Sequence, residues 1–328
     1  MFPKQRKRRL RNSDSIRKIV SEINLTVNDL ITPIFLTEGE KIKEEIESMP
    51  GYFRLSLDLL EEEIDSLWGL GLKAVILFAK IPNRLKDNKG TEALNENGLM
   101  QKGIKLIKSL NPKILVISDV ALDPYSSYGH DGIVLDNKIV NDESNKVLSK
   151  MALSHAKAGV DFVSPSDMMD GRIGEIRSVL ENNGFKNTGI MSYSVKYASN
   201  LYSPFRDALS SSPGFGDKKT YQMDFHNRKE AISETLLDID EGADIVIVKP
   251  GIFYLDIISD LKTKINQPIA AYQVSGEYAM LKAAQSKGWI DYDSVIYENL
   301  IAFKRAGCSM IITYCAKDVA RILNSMKY

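Results

Sequence analysis

Two lysines stand where lysines are rarely found, at the downstream ends of runs that are otherwise mostly apolar: Lys196 closes GIMSYSVK (189–196), and Lys249 ends the aliphatic stretch of ADIVIVKP (243–250). A free lysine, with a pKa of about 10.4, is an ammonium at neutral pH and cannot attack a carbonyl. Burial in an apolar mouth favours the neutral amine, and a second ammonium nearby favours it further. Each lysine could do this to the other, and the resulting chemistry is Schiff-base formation with a carbonyl substrate. The plainer alternative is a strand that stops one residue early, leaving an amine that snorkels to solvent. A matched pair weakens that alternative.

Other polar residues end apolar runs in the same way: Asp119, Ser166, Ser275 and Tyr314. Taken singly, Asp119 and Ser166 also suit helix caps or turns, Ser275 a turn before Gly276, and Tyr314 a satisfied hydroxyl.

The elements that must position these groups are eight short apolar runs, at 32–35, 73–79, 113–121, 161–167, 189–196, 243–250, 268–275 and 309–316. Runs that are apolar throughout, rather than alternating, predict strands buried on both faces of a parallel sheet. Amphipathic segments lie between them, such as 58–71, 144–159 and 227–242. Gly71, Gly159, Gly242 and Gly307 each stand just before an apolar run, as left-handed helix caps would. A repeated unit of helix, glycine and strand in 328 residues predicts an α/β fold, a single (β/α)8 TIM barrel over 31–328, preceded by an extended N-terminal arm over 1–30. The active site of such a barrel lies at the C-terminal ends of its strands. Two insertions stand out. Residues 131–142 read as a hairpin turning at Asp136–Asn137, and 202–222 form a long Pro/Gly/Ser-rich loop that reads as a lid.

Forty-three basic residues balance forty-three acidic ones, so no global field favours nucleic acid or an anionic membrane. The one charge run, KQRKRRLRN at 4–12, has no interleaved aromatics and reads as an arm lying on a partner subunit. Cys308 and Cys315 are too few for a disulfide framework or a cysteine-only zinc site. With no apolar run long enough to span a bilayer and no secretory segment near Met1, the expected location is cytoplasmic.

Several blocks, in order, carry a resemblance: RLRN (9–12), SMPGYFRLS (48–56), DVALDPYSSYGHDG (119–132), DFVSPSDMMDGR (161–172), SYSVKYASNLYSPFRDA (192–208), GADIVIVKPG (242–251) and AYQVSGEYAM (271–280). Over nearly its whole length the chain resembles the porphobilinogen synthase (5-aminolevulinate dehydratase) family, in its non-zinc, magnesium-type branch. The resemblance implies a lyase that condenses two 5-aminolevulinate molecules to porphobilinogen, losing two waters, in tetrapyrrole biosynthesis. It implies a Schiff base on each of Lys196 and Lys249. Arg206 and Lys218 would hold the carboxylate of the substrate on Lys196, and Ser275 and Tyr314 that of the substrate on Lys249. Asp119 and Ser166 would serve proton transfer and positioning, while Tyr202 and Phe205 in the lid would exclude water. Lys218 stands where family members commonly have arginine, so it keeps the charge but loses the planar fork.

Zinc-dependent members carry three cysteines where this chain has Ala121, Asp123 and Asp131. Catalytic zinc is therefore not expected, and Asp123 and Asp131 would suit magnesium or a monovalent cation instead. The neighbouring His130 is expected at the surface. The resemblance also places an allosteric magnesium at Glu234, on a helix face with Glu230 and Asp238 that otherwise reads as a solvated acidic stripe. A homo-octamer, its arms wrapped around neighbouring barrels, is a further implication. Two rivals remain. A class I aldolase-type barrel would use Lys249 but leave Lys196 and both carboxylate clamps idle. A phosphate- or flavin-binding barrel would need a glycine-rich cradle after strands seven and eight, where SGEYAM and YCAKDV offer none.

Overall fold

Each of the eight apolar runs becomes a barrel strand. In the computed structural model, which describes residues 3–326, they are β1 (Leu30–Thr37), β2 (Ala74–Lys80), β3 (Leu115–Val120), β4 (Phe162–Pro165), β5 (Gly189–Lys196), β6 (Ile245–Lys249), β7 (Ile269–Gln273) and β8 (Met310–Thr313). Neighbours pair in parallel in sequence order. The ring closes where β8 meets β1, through Leu30↔Ile311 and Ile31↔Ile312. The result is the expected (β/α)8 TIM barrel. Residues 1–2 of the expected arm and 327–328 of the expected barrel segment lie outside the described residues.

The helices that feed the strands end as the glycines foretold. Gly71, Gly159, Gly242 and Gly307 all have positive φ, between 86° and 122°, a conformation that costs any residue with a Cβ. The hairpin is also present: Ile133–Leu135 pairs antiparallel with Lys138–Val140 across Asp136 and Asn137, at φ 48° and 58°.

One irregularity decides the site. Ile245 and Val246 of β6 pair with Met191 and Ser192 of β5, but Val248 and Lys249 pair with Val195 and Lys196. Two steps along β6 therefore match three along β5, which makes a bulge with one extra residue in β5. Strict alternation would put Tyr193 and Lys196 on opposite faces. The bulge lets both face the barrel interior.

The lid differs from the loop that its composition suggests. Residues 203–209 form a helix, with Pro204 in its first turn, where a missing N–H costs nothing. The segment before β1 carries three short helical pieces, Lys7–Arg11, Asp14–Ile19 and Val27–Asp29, none of which buries a residue. Among the described residues, no helix is long and apolar enough to cross a membrane.

Candidate active site

Lys196 and Lys249 are register partners at the C-terminal ends of β5 and β6, and each is only 5% exposed. The Lys249 amine faces four rings, with centroids of Tyr193 at 5.0 Å, Tyr202 at 5.1 Å, Phe205 at 4.9 Å and Tyr272 at 4.8 Å. These rings exclude the water that an ammonium needs, and their negative faces return part of that loss. Burial first, and the Lys196 ammonium second, lower the Lys249 pKa to about 7 against the opposing pull of Asp119, Asp123 and Asp131. A pKa lowered this far makes the neutral, nucleophilic amine accessible at neutral pH. Lys196 donates to the backbone carbonyl of Ser166 and lies 3.8 Å from Asp131 Oδ2.

Asp119 enters from β3, beside β4 through Asp119↔Ser164. Burial, and then the neighbouring Asp123, raise its pKa to about 7, while the Ser166 hydroxyl and both lysines oppose the shift. Its Oδ1 has no hydrogen-bond partner within the protein. A carboxyl poised at that value, beside an amine poised at the same value, is equipped to exchange protons.

Asp123 and Asp131 both lie against Lys218, whose Nζ is 3.3 Å from Asp123 Oδ2 and 3.1 Å from Asp131 Oδ1. Burial works against all three charges. At Asp131 the ammonium groups of Lys196 and Lys218 prevail and hold the carboxyl well below its usual range. The carboxylates in turn hold the Lys218 pKa up, while burial keeps that of Asp123 raised.

The lid completes the enclosure. Tyr202 donates to the carbonyls of Tyr197, at 2.7 Å, and Lys249, at 3.2 Å, tying down the ends of β5 and β6. Phe205 packs against Phe78 and Phe35, with centroids at 5.0 and 5.7 Å. Ten sequence-predicted residues line one cavity: Lys196, Lys249, Asp119, Ser166, Arg206, Lys218, Tyr202, Phe205, Asp123 and Asp131, joined by Gln222. Its volume of about 20 Å³ leaves room for about one water.

Ser275 and Tyr314 stand behind this lining. Ser275 Oγ accepts from Phe205 N at 3.0 Å and donates to Leu201 O at 3.3 Å, so it anchors the lid. Tyr314 shares a 2.9 Å hydrogen bond with the hydroxyl of Tyr272, one of the rings facing Lys249. Glu234 lies elsewhere, in a groove with Asn141, Asp170 and Glu230, and accepts from Arg172 at 3.3 Å. Its helix face is no simple solvated stripe, because Asp238 is buried and receives the same guanidinium at 2.7 Å.

Sequence reasoning missed three residues of the site. Tyr193 and Tyr272 lie inside apolar runs with nothing to single them out, and only the β5 bulge reveals that Tyr193 shares a face with Lys196. Gln222, inside the lid, donates to Asp131 Oδ2 at 3.4 Å. His130 requires a correction: it is fully buried, not at the surface, because its ring bridges Tyr221 and the Phe215 carbonyl, both at 3.1 Å. Burial lowers its pKa.

Cys308 and Cys315 are buried, and neither lines the cavity. The Lys218 ammonium already occupies the space between Asp123 and Asp131, so with Lys218 seated there the pair does not fit a metal ion. Among the described residues, no three His, Cys, Asp or Glu side chains are grouped to hold one.

Residues 4–322 match the model of the family described as delta-aminolevulinic acid dehydratase. The chain belongs to that family. It is 50% identical over 323 residues to the delta-aminolevulinic acid dehydratase of Halalkalibacterium halodurans, covering 98% of each chain. It is 53% identical to that of Methanothermus sociabilis, covering 97% of this chain and 98% of the relative. Among solved structures, the delta-aminolevulinic acid dehydratase (porphobilinogen synthase) of Toxoplasma gondii, in complex with the reaction product porphobilinogen, superposes with a TM-score of 0.97. It is 45% identical and covers 99% of this chain and 93% of that one. Dehydratase membership agrees with a site that holds two buried amines, which the single-lysine aldolase and the ligand-binding barrel leave without a use.

Proposed function

We propose that Lys196 and Lys249 are the two Schiff-base lysines through which this dehydratase condenses two 5-aminolevulinate molecules into porphobilinogen with loss of two waters. The observation that carries the reading is their register pairing inside one water-excluding cavity. Lys249, with the lowered pKa, supplies the neutral amine that attacks a ketone carbon. Imine formation expels that oxygen as water once it has been protonated, and Asp119 is the acid poised to protonate it.

Arg206 and Lys218 take the carboxylate of the substrate on Lys196, and Ser275 and Tyr314 that of the substrate on Lys249. Room for about one water means that the lid lifts to admit substrate. Lys218 then exchanges its contacts with Asp123 and Asp131 for the substrate carboxylate, and Ser275 exchanges the Phe205 N–H in the same way. Ser166 positions the Lys196 amine, and the rings of Tyr202 and Phe205 keep bulk water from the imines.

Magnesium is assigned to Glu234, outside the cavity. Burial raises the pKa of Glu234, Arg172 opposes this, and Asp238, Asp170 and Glu241 add to it. A hydrated divalent cation would relieve that crowding of negative charge without touching the reacting atoms. The assembly proposed is a cytoplasmic homo-octamer in which the N-terminal arm of residues 1–30, exposed along its basic run at 4–12, lies on a neighbouring barrel. The test of the central reading is turnover in Lys249→Met, measured as porphobilinogen formed from 5-aminolevulinate. The reading requires loss of activity, and a variant that keeps parental turnover contradicts it.

A further inference from the structure

We propose that Arg54 latches the lid, as a positioning residue that holds the short helix Ser203–Leu209 so that Phe205 and Arg206 face the lysines. This rests on the two-lysine reading of the cavity. Arg54 lies on the short strand Phe53–Leu55, which pairs in parallel with the outer half of β1 through Phe35↔Arg54 and Leu36↔Leu55. Its backbone is therefore part of the barrel wall, while its side chain reaches across to the lid.

Three of its nitrogens are engaged. Nε donates to the carbonyl of Ala208 at 2.6 Å, Nη2 to that of Asp207 at 2.9 Å, and Nη1 meets Glu44 Oε1 at 2.9 Å. Asp207 and Ala208 form the last turn of the lid helix, whose carbonyls lack a full set of intrahelical partners. Beyond them, Ser210 is held in the left-handed region at φ 50°.

A helix of seven residues does not stand without tertiary support. Ser275 and the packing of Phe205 support its start, and the guanidinium supports its end, giving the last turn two hydrogen bonds and a positive charge at the negative end of its dipole. Lys86 adds a more exposed tie, donating to the Ser210 carbonyl at 2.8 Å. Phe205 and Arg206 lie directly upstream of the latched carbonyls, so freeing that end displaces the residues that close over Lys249. Arg54 does not line the catalytic cavity and touches no reacting group. Lysine at this position would keep the charge but could not span both carbonyls and Glu44 in one plane.

The experiment measures steady-state kinetics on 5-aminolevulinate, limited proteolysis within 203–222, and borohydride trapping at saturating substrate, for the parent, Arg54→Gln and Arg54→Lys. In Arg54→Gln the KM is expected to rise tenfold or more, with a smaller fall in kcat. The lid should be cleaved several-fold faster, adducts should still form on both lysines, and Arg54→Lys should recover part of the KM. Should Arg54→Gln fail to fold, Glu44→Ala leaves the guanidinium in place but frees it to swing, and its KM should rise several-fold. A parent that traps substrate, beside a variant with unchanged KM and unchanged lid cleavage, overturns the latch alone. A parent with no adduct on either lysine overturns the two-lysine reading and the latch with it.

Discussion

Lys196 and Lys249 are direct register partners across β5 and β6, two adjacent parallel strands that lie about 4.8 Å apart. Two ammonium groups so placed in a dry cavity repel each other, and the second largest cause of the lowered Lys249 pKa is Lys196. The amine is unreactive below its pKa and nucleophilic above it, so adduct formation on Lys249 should rise through pH about 7. Lys196→Met removes the like charge and should move that midpoint upward. It should stay below the ordinary lysine value, because burial, the larger cause, remains. Trapping yield against pH checks this, and an unchanged midpoint contradicts activation of Lys249 by Lys196.

Asp119→Asn should lower kcat on the order of 100-fold or more, the usual scale for a lost general acid or base. Its stability should move the other way. The folded-state pKa of Asp119 is raised from 3.8 to about 7. Between those values the folded protein binds more protons at this group than the unfolded chain, so this group's contribution to stability falls as pH rises through the window. The asparagine removes that loss, and its advantage over the parent should grow between pH 4 and 7. Denaturant midpoints across that range measure it.

Lys218→Met would strand two buried carboxylates and should cost about 3–5 kcal/mol of stability. Lys218→Arg keeps the charge and adds a fork suited to bidentate carboxylate binding, so its KM for 5-aminolevulinate should fall. Chemical denaturation and initial rates separate the two effects. A Met variant as stable as the parent would show that the ammonium does not hold Asp123 and Asp131.

Glu234→Gln removes the negative charge proposed to hold magnesium, away from the cavity. Chelation followed by magnesium titration should restore or raise activity in the parent and have little effect in this variant. Equal responses would place the ion elsewhere.

The barrel was legible in the sequence because each strand buried on both faces leaves an uninterrupted apolar run, and because the caps before four of them need glycine. The two lysines were legible because a charged residue closing such a run is conspicuous. Ser275 and Tyr314 were legible as polar ends, but not their seats behind Phe205 and Tyr272, since strand ends do not specify depth. Tyr193 was hidden by parity: it lies three residues before Lys196, and only the bulge in β5 turns both inward. His130 was misread because a glycine-rich loop suggests exposure, whereas Phe215 and Tyr221, some ninety residues away in the lid, cover it. The helix at 203–209 was hidden by Pro204, which here opens an element instead of breaking one.

The most direct test of the account is to incubate the enzyme with 5-aminolevulinate, reduce with borohydride and locate the adducts by peptide mass spectrometry. Substrate-derived mass is expected on both Lys249 and Lys196. An adduct on Lys249 alone would leave a single-lysine, aldolase-type site, and an adduct on neither would contradict the Schiff-base mechanism altogether.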